Sequence, residues 1–301
     1  MDHRNRRLVA ELLLATVTIF WGATFPLVKE AVGQVPVLCF LWVRFALSAG
    51  LLAALAGRRL GGLGRAGWGR GVALGVLLFL SYLFQTFGLE RTTAANAGFL
   101  TGLNVVWVPL LAGPLLGRPA APSSRVGVAL AVAGLFLLTW HTPWRLHTGD
   151  LLVVVCSLFV ALHILGLDAL TAAFDGTALA CVQIATMAVL AFFGSWAFEP
   201  VTWPRHWPTA LVSALLITSV FATVYAFWVM TAFQRWTTPT RAALIYTLEP
   251  VFAALFSVVW AGERLGPLAW AGGGLIVLGT VAAEALPAWS TRRQAPSLSE
   301  P

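Results

Sequence analysis

Ten apolar runs, each close to the length a helix needs to cross a bilayer and almost empty of charge, follow one another along this 301-residue chain. A hydrocarbon core about 30 Å thick takes roughly 20 residues of helix, and within it every backbone N–H and C=O must find its partner inside the protein. The runs lie near 8–28, 35–57, 70–90, 93–117, 126–142, 149–170, 177–197, 209–234, 238–262 and 268–286. They predict an all-α integral membrane protein with ten transmembrane helices. Charge agrees with this reading, because 10% charged residues against roughly 25% in a soluble domain cannot clothe a water-soluble surface. The connections are short and broken by Gly and Pro, as in Arg118-Pro119-Ala120-Ala121-Pro122, so no large extramembrane domain is expected. The first run follows Arg4, Arg6 and Arg7, but it is too long for a signal peptide and lacks a cleavage region, so it is read as an uncleaved helix.

A net charge of +7 raises the question of nucleic acid. The basic residues are scattered singly and in pairs between apolar runs, and no basic face with interleaved aromatics forms. Orientation in the membrane explains them better. With the N-terminus inside, 13 of the 19 Lys and Arg residues fall on the cytoplasmic side, 5 on the other, and Arg44 lies inside a span. This predicts a multi-pass protein of the cell inner membrane with both termini cytoplasmic. Cys39, Cys156 and Cys181 sit in apolar runs at no metal-ligand spacing and read as small buried residues. No phosphate-binding Gly-x-x-x-x-Gly-Lys-Ser/Thr loop, His-Glu-x-x-His or Gly-x-Ser-x-Gly occurs. ATP, metal and cofactor are therefore not expected, nor is enzymatic activity.

The chain also matches itself. At an offset of 145 residues, 92–139 align without a gap to 237–284, pairing Thr92 with Thr237, Thr93 with Thr238, Gly127 with Gly272 and Gly134 with Gly279. This divides the chain into a first repeat, 1–142, a second repeat, 149–286, and a cytoplasmic tail, 287–301, expected to be disordered. Five spans per repeat put the second copy into the membrane upside down relative to the first. Inverted repeats of this kind suit a transporter with a central substrate site between the halves, near the membrane midplane.

Certain motifs are familiar. Trp21-Gly22-Ala23-Thr24-Phe25-Pro26, Arg44-Phe45, Leu248-Glu249-Pro250-Val251, Gly262-Glu263 and Gly272-Gly273-Gly274-Leu275-Ile276 resemble the EamA family of the drug/metabolite transporter superfamily, over residues 8–286. The resemblance implies a ten-helix bacterial transporter with helices three, four, eight and nine among those around a central cavity. It further implies export of amino acids or other small metabolites, without naming a solute.

Polar groups within spans are the candidates for that cavity, since each must be satisfied structurally or line a wet path. Arg44 is a permanent cation inside the second span, either an anchor for a substrate carboxylate or half of a structural pair. Glu249, beside Pro250 and opposite Asn104 in the repeat, is a proton carrier, a partner for a cationic group or a structural acid at a kink. His163 in the sixth span aligns locally with Thr24 in the first, close to Trp21, and is a ligand or a packing residue. Tyr82 with Gln85, Tyr225 with Trp228, and Tyr246 with Glu249 lie three apart on their helices and so share faces, as do Asn96, Leu100, Asn104 and Trp107 at helical spacing. Such stripes suit a small amphipathic molecule.

Pro26, Pro109 and Pro250 are candidate hinges. Gly71/Gly75, Gly98/Gly102 and Gly113/Gly117 permit close helix packing, with a weak homodimer the most that they suggest. Trp140, Trp144, Trp203 and Trp207 are assigned to the interfacial belt. Asp168 is read as solvated near a helix end. The reading that results is a secondary transporter of small organic solutes in the lipid bilayer, expected to work as an exporter. The competing readings are a non-coupled facilitator and a membrane scaffold.

Overall fold

The computed structural model of the chain describes residues 3–140, 148–199, 207–261 and 264–293, and every regular element among them is helical. In chain order these are α1 (His3–Val32), α2 (Val37–Ala56), α3 (Gly64–Glu90), α4 (Ala94–Gly102), α5 (Asn104–Leu116), α6 (Pro122–Thr139) and α7 (Thr148–Leu170). They continue with α8 (Gly176–Phe198), α9 (Thr209–Ser219), α10 (Ala226–Phe233), α11 (Pro239–Tyr246), α12 (Glu249–Ala261) and α13 (Pro267–Arg293). Among the described residues these elements form ten rods. Seven are continuous, the fourth is α4 with α5, the eighth is α9 and α10 joined by a π-helical turn at Val220–Tyr225, and the ninth is α11 with α12. Among the described residues six stretches are long and apolar enough to cross a membrane, and one of them, Val37–Glu90, is 54 residues long and holds two rods.

The interruptions obey the repeat. Gly102 and Asn104 flank the break in the fourth rod, Tyr246 and Glu249 the break in the ninth, so Leu103 and Leu248 are equivalent at the offset of 145. In the ninth, Pro250 has no N–H to give Tyr246, and α11 ends at that residue. The starts correspond too. Thr93 caps α4 by accepting from the Asn96 N–H at 3.1 Å, and Thr238 caps α11 by accepting from the Arg241 N–H at 3.4 Å, each meeting an orphan donor of a first turn. Of the other prolines expected to act as hinges, Pro26 lies inside continuous α1 and Pro109 inside continuous α5.

Glycine sets the contact between the two halves. Gly127 and Gly134 on α6 face Gly279 and Gly272 on α13 so closely that a Cβ on any of the four would lie 2.4–2.6 Å from facing backbone atoms. These are the residues paired by the repeat, now meeting crosswise. Gly113 and Gly117 have open space around them. Close packing therefore uses the seven-residue spacing of 127 and 134 as well as the four-residue spacing of Gly71 and Gly75, which press on Val182, Gln183 and Thr186 of α8.

The outer surface is apolar. Leu12, Leu55, Leu151, Trp196 and Val259 are all exposed, as are Trp140 and Trp207 near rod ends, which suits lipid rather than water. Trp144 and Trp203 lie outside the described residues. Two expectations need correction. The last helix runs through Pro287 to Arg293 instead of giving way to disorder at 287, because the alanine-rich sequence around that proline carries the helix past one lost hydrogen bond. Asp168 is largely buried, its carboxylate 3.5 Å from Arg118, because α7 brings it against the turn before α6. Residues 294–301 lie outside the described residues.

Candidate functional site

Between the halves lies a hollow with an empty volume of about 800 Å³, open solvent at its mouth included. The first half supplies Trp21, Thr24, Phe25 and Val28 from α1, Arg44 from α2, a stripe from Leu78 to Leu89 on α3, and Thr101 and Asn104 from the fourth rod. The second half supplies Cys156, Val160 and His163 from α7, Phe227 and Met230 from α10, and Tyr246 and Glu249 from the ninth rod. Of the residues singled out from sequence, Trp21, Thr24, Arg44, Tyr82, Gln85, Asn104, His163, Tyr246 and Glu249 converge here.

Tyr225 and Trp228 do not line this hollow. The residues that face it from α10 are Phe227 and Met230, three apart, and at 100° per residue Tyr225 and Trp228 point elsewhere. The Tyr225 hydroxyl lies 2.5 Å from Thr16 Oγ1 with its ring edge-on to Phe20, and Trp228 Nε1 donates to Thr177 Oγ1 at 3.1 Å. Both are packing residues.

Arg44 is 3% exposed and has no carboxylate partner among the described residues. Its Nε donates to Thr223 Oγ1 at 3.0 Å and an Nη to the Ala222 carbonyl at 3.5 Å, while the guanidinium stands 5.2 Å from the Tyr82 ring and 5.3 Å from the Phe45 ring. The same Ala222 carbonyl accepts from Trp21 Nε1 at 3.0 Å. Both acceptors belong to the π-helical turn, whose wider winding releases carbonyls from the i→i−4 ladder. An irregular turn of the second half thus holds two cavity residues of the first.

Glu249 lines the same hollow, half-buried, with no hydrogen bond or ion pair among the described residues. Gly22 allows this wall to form, since a Cβ there would lie 2.8 Å from the Glu249 carbonyl and 2.7 Å from the Ala253 nitrogen. Asn104, its repeat equivalent, donates to the Thr101 carbonyl at 2.8 Å, whereas its Oδ1 is buried with no hydrogen-bond partner among the described residues. A cation, an acid and an amide acceptor therefore share one hollow without answering one another.

Other polar residues are answered. His163 Nε2 lies 2.9 Å from Gln183 Oε1, and Gln183 spends its own N–H on Thr231 Oγ1 at 3.2 Å. The glutamine oxygen accordingly accepts from the histidine. Tyr246 donates to Gln234 Oε1 at 3.0 Å and Gln85 to Thr101 Oγ1 at 3.2 Å. Trp21 and Tyr246 have ring centroids 5.7 Å apart, and Tyr82 and Phe227 6.1 Å, so aromatic faces line the wall.

Phe227, Met230, Thr101 and Cys156 were missed from sequence. Thr101 had a signal, being the repeat equivalent of Tyr246, and Cys156, Val160 and His163 recur at i, i+4, i+7. Among the described residues no group of three His, Cys, Asp or Glu could hold a metal.

The EamA-like transporter family model matches the chain twice, over residues 8–140 and 147–283. Two curated relatives from Archaeoglobus fulgidus, each called an uncharacterized transporter, are similar to it. One is 33% identical, with 92% of this chain and 86% of the relative aligned. The other is 27% identical, with 84% and 89% aligned. A solved crystal structure superposes with a TM-score of 0.77 at 19% identity, covering 92% of this chain and 98% of its own, which is a likeness of fold.

Proposed function

This chain belongs to the EamA-like transporter family, and from that premise we propose that it is a secondary transporter which moves small amino acids or closely related zwitterions by alternating access. It is a multi-pass membrane protein; location in the inner membrane, termini in the cytoplasm and export are parts of the proposal. The observation that carries the substrate class is the juxtaposition of Arg44, Glu249 and the Asn104 oxygen in one hollow, unpaired with each other and drawn from both halves. A guanidinium answers a carboxylate, and a carboxylate or amide oxygen answers an ammonium group. Aromatic walls of Trp21, Tyr82, Phe227 and Tyr246 accommodate an apolar side chain.

Leaving such groups without ionic partners is costly in a membrane. A zwitterion repays that cost on entering, so binding energy is concentrated in the loaded state. Because each half contributes one of the charges, the solute draws the halves together, which favours passage through an occluded state. Arginines on the face where α1 starts, including Arg7, Arg118, Arg235 and Arg241 around a second hollow, support placing that face in the cytoplasm.

Counterflow tests this reading. Proteoliposomes of the purified protein, preloaded with unlabelled amino acids, are expected to accumulate labelled amino acid transiently above its equilibrium level. Absence of such accumulation over a mixture of neutral, acidic and basic amino acids contradicts the substrate class.

A further inference from the structure

Two inter-half contacts, one at each face of the membrane, are copies of each other. Thr237 Oγ1 donates to Glu11 Oε1 at 2.7 Å, and Thr92 Oγ1 donates to Asp150 Oδ1 at 2.5 Å. The threonines are equivalent at the offset of 145. The acids are equivalent as well, since the two family matches begin at residues 8 and 147, and Glu11 and Asp150 each lie three residues beyond. In each contact a threonine before an interrupted rod meets an acid near the start of its repeat's first helix, and each contact crosses between the repeats.

They lie on opposite faces. Glu11 is near the start of α1 and Asp150 near the start of α7, and five rods separate those starts. Thr92 follows the lining residue Leu89 by three positions, and Thr237 lines the second hollow at the face where α1 starts. All four are buried, Thr92 and Thr237 at 4% and 7% exposure, Asp150 and Glu11 at 8% and 6%. Around Glu11 the contact is reinforced by Arg241 at 3.5 Å and Arg7 at 3.7 Å. At the other face Lys29 bonds the Leu89 and Thr92 carbonyls.

We propose that these are paired gate latches, Thr237–Glu11 closing the cavity toward the face where α1 starts and Thr92–Asp150 closing it toward the opposite face, and that they part in turn. The proposal rests on the alternating-access reading above. A buried carboxylate is stable only while it is hydrogen-bonded or wet. Parting a latch takes one hydrogen bond from its carboxylate, which water entering at that mouth replaces, and this ties each rupture to opening on its own side. Rocking one half against the other strains both contacts, and their equivalence in the repeat gives each mouth a bond of the same kind to break and re-form.

The test uses the full chain with Cys39→Ala and Cys181→Ala, so that cavity-lining Cys156 is the remaining thiol, in sealed membrane vesicles of both orientations. Modification by a membrane-impermeant cationic methanethiosulfonate reads access to the cavity from each face. Thr237→Val is expected to speed labelling roughly 2- to 10-fold from the face where α1 starts, the population shift that follows from losing one hydrogen bond. Thr92→Val is expected to do so from the opposite face, and Thr237→Ser and Thr92→Ser, which keep the hydroxyl, to match the parent. Equal acceleration from both faces, or acceleration from neither in variants that remain folded by thermal melting, overturns the latches. Amino-acid counterflow is measured on the same preparations. Counterflow without sided labelling overturns the latches alone, and sided labelling without counterflow overturns the substrate class alone.

Discussion

Arg44 gives the sharpest expectation at the scale of the residue. A charge-assisted hydrogen bond is worth about 1.5–3 kcal/mol, roughly 10- to 150-fold in binding. Arg44→Gln is expected to weaken binding of a labelled amino acid by that factor, while the corresponding amine without a carboxylate loses little; binding to the purified protein measures both. Glu249→Gln is expected to give the reverse selectivity, sparing a carboxylate solute that lacks an ammonium group. Equal losses for both solutes in either variant would indicate a structural role. The chemistry of these residues was legible in the sequence because a charge inside a span stands out against apolar neighbours. Their holders were not. Thr223 and the Ala222 carbonyl reach Arg44 through a turn that leaves no mark in residue type, and Tyr225 and Trp228, chosen as a shared face, pack against Thr16 and Thr177 because the hollow is faced two residues on, by Phe227 and Met230.

Among the elements, the interrupted rods and the glycine seam matter most. Pro250 announces the break in the ninth rod, but the break at Leu103 and the π-helical turn have no proline at their positions, so proline alone was a poor guide to where helices give way. The seam between α6 and α13 yields a stability prediction with opposite outcomes for one substitution. Gly→Ala within a helix ordinarily stabilises by about 1 kcal/mol. At Gly272 the added Cβ would stand 2.4 Å from the Leu138 nitrogen, and such overpacking costs roughly 1–3 kcal/mol. Gly272→Ala is accordingly expected to lower the melting midpoint in detergent by roughly 2–10 °C. Gly113→Ala, with open space around it, is expected to leave the midpoint unchanged or raised. The repeat alignment had put Gly127 beside Gly272 and Gly134 beside Gly279 as sequence equivalents. That these residues also touch crosswise follows from inversion, which carries the Gly127–Gly279 contact onto the Gly272–Gly134 contact across the axis relating the halves.

For the molecule as a whole, the inverted repeat explains most of what the parts do: equivalent breaks, equivalent caps, equivalent threonine–acid contacts on opposite faces and a hollow fed by both halves. The apolar runs and one self-match were enough to read a helical membrane protein built from two repeats, because span length is set by the bilayer rather than by side-chain detail. Cavity membership was less legible, since a helix at 100° per residue turns a two-residue error into the opposite face. An orientation test belongs at this scale too: reporters fused to either terminus are expected to be accessible from the same, cytoplasmic side, and opposite sidedness contradicts an even number of spans. The central claim is that the halves alternate around a solute held by groups from each. It is tested most directly by counterflow in proteoliposomes, comparing the native protein with Arg44→Gln. The account predicts a transient overshoot of labelled amino acid with the native protein and at most a tenth of its initial rate with the variant. Passive equilibration without overshoot, at the same rate in both, contradicts it.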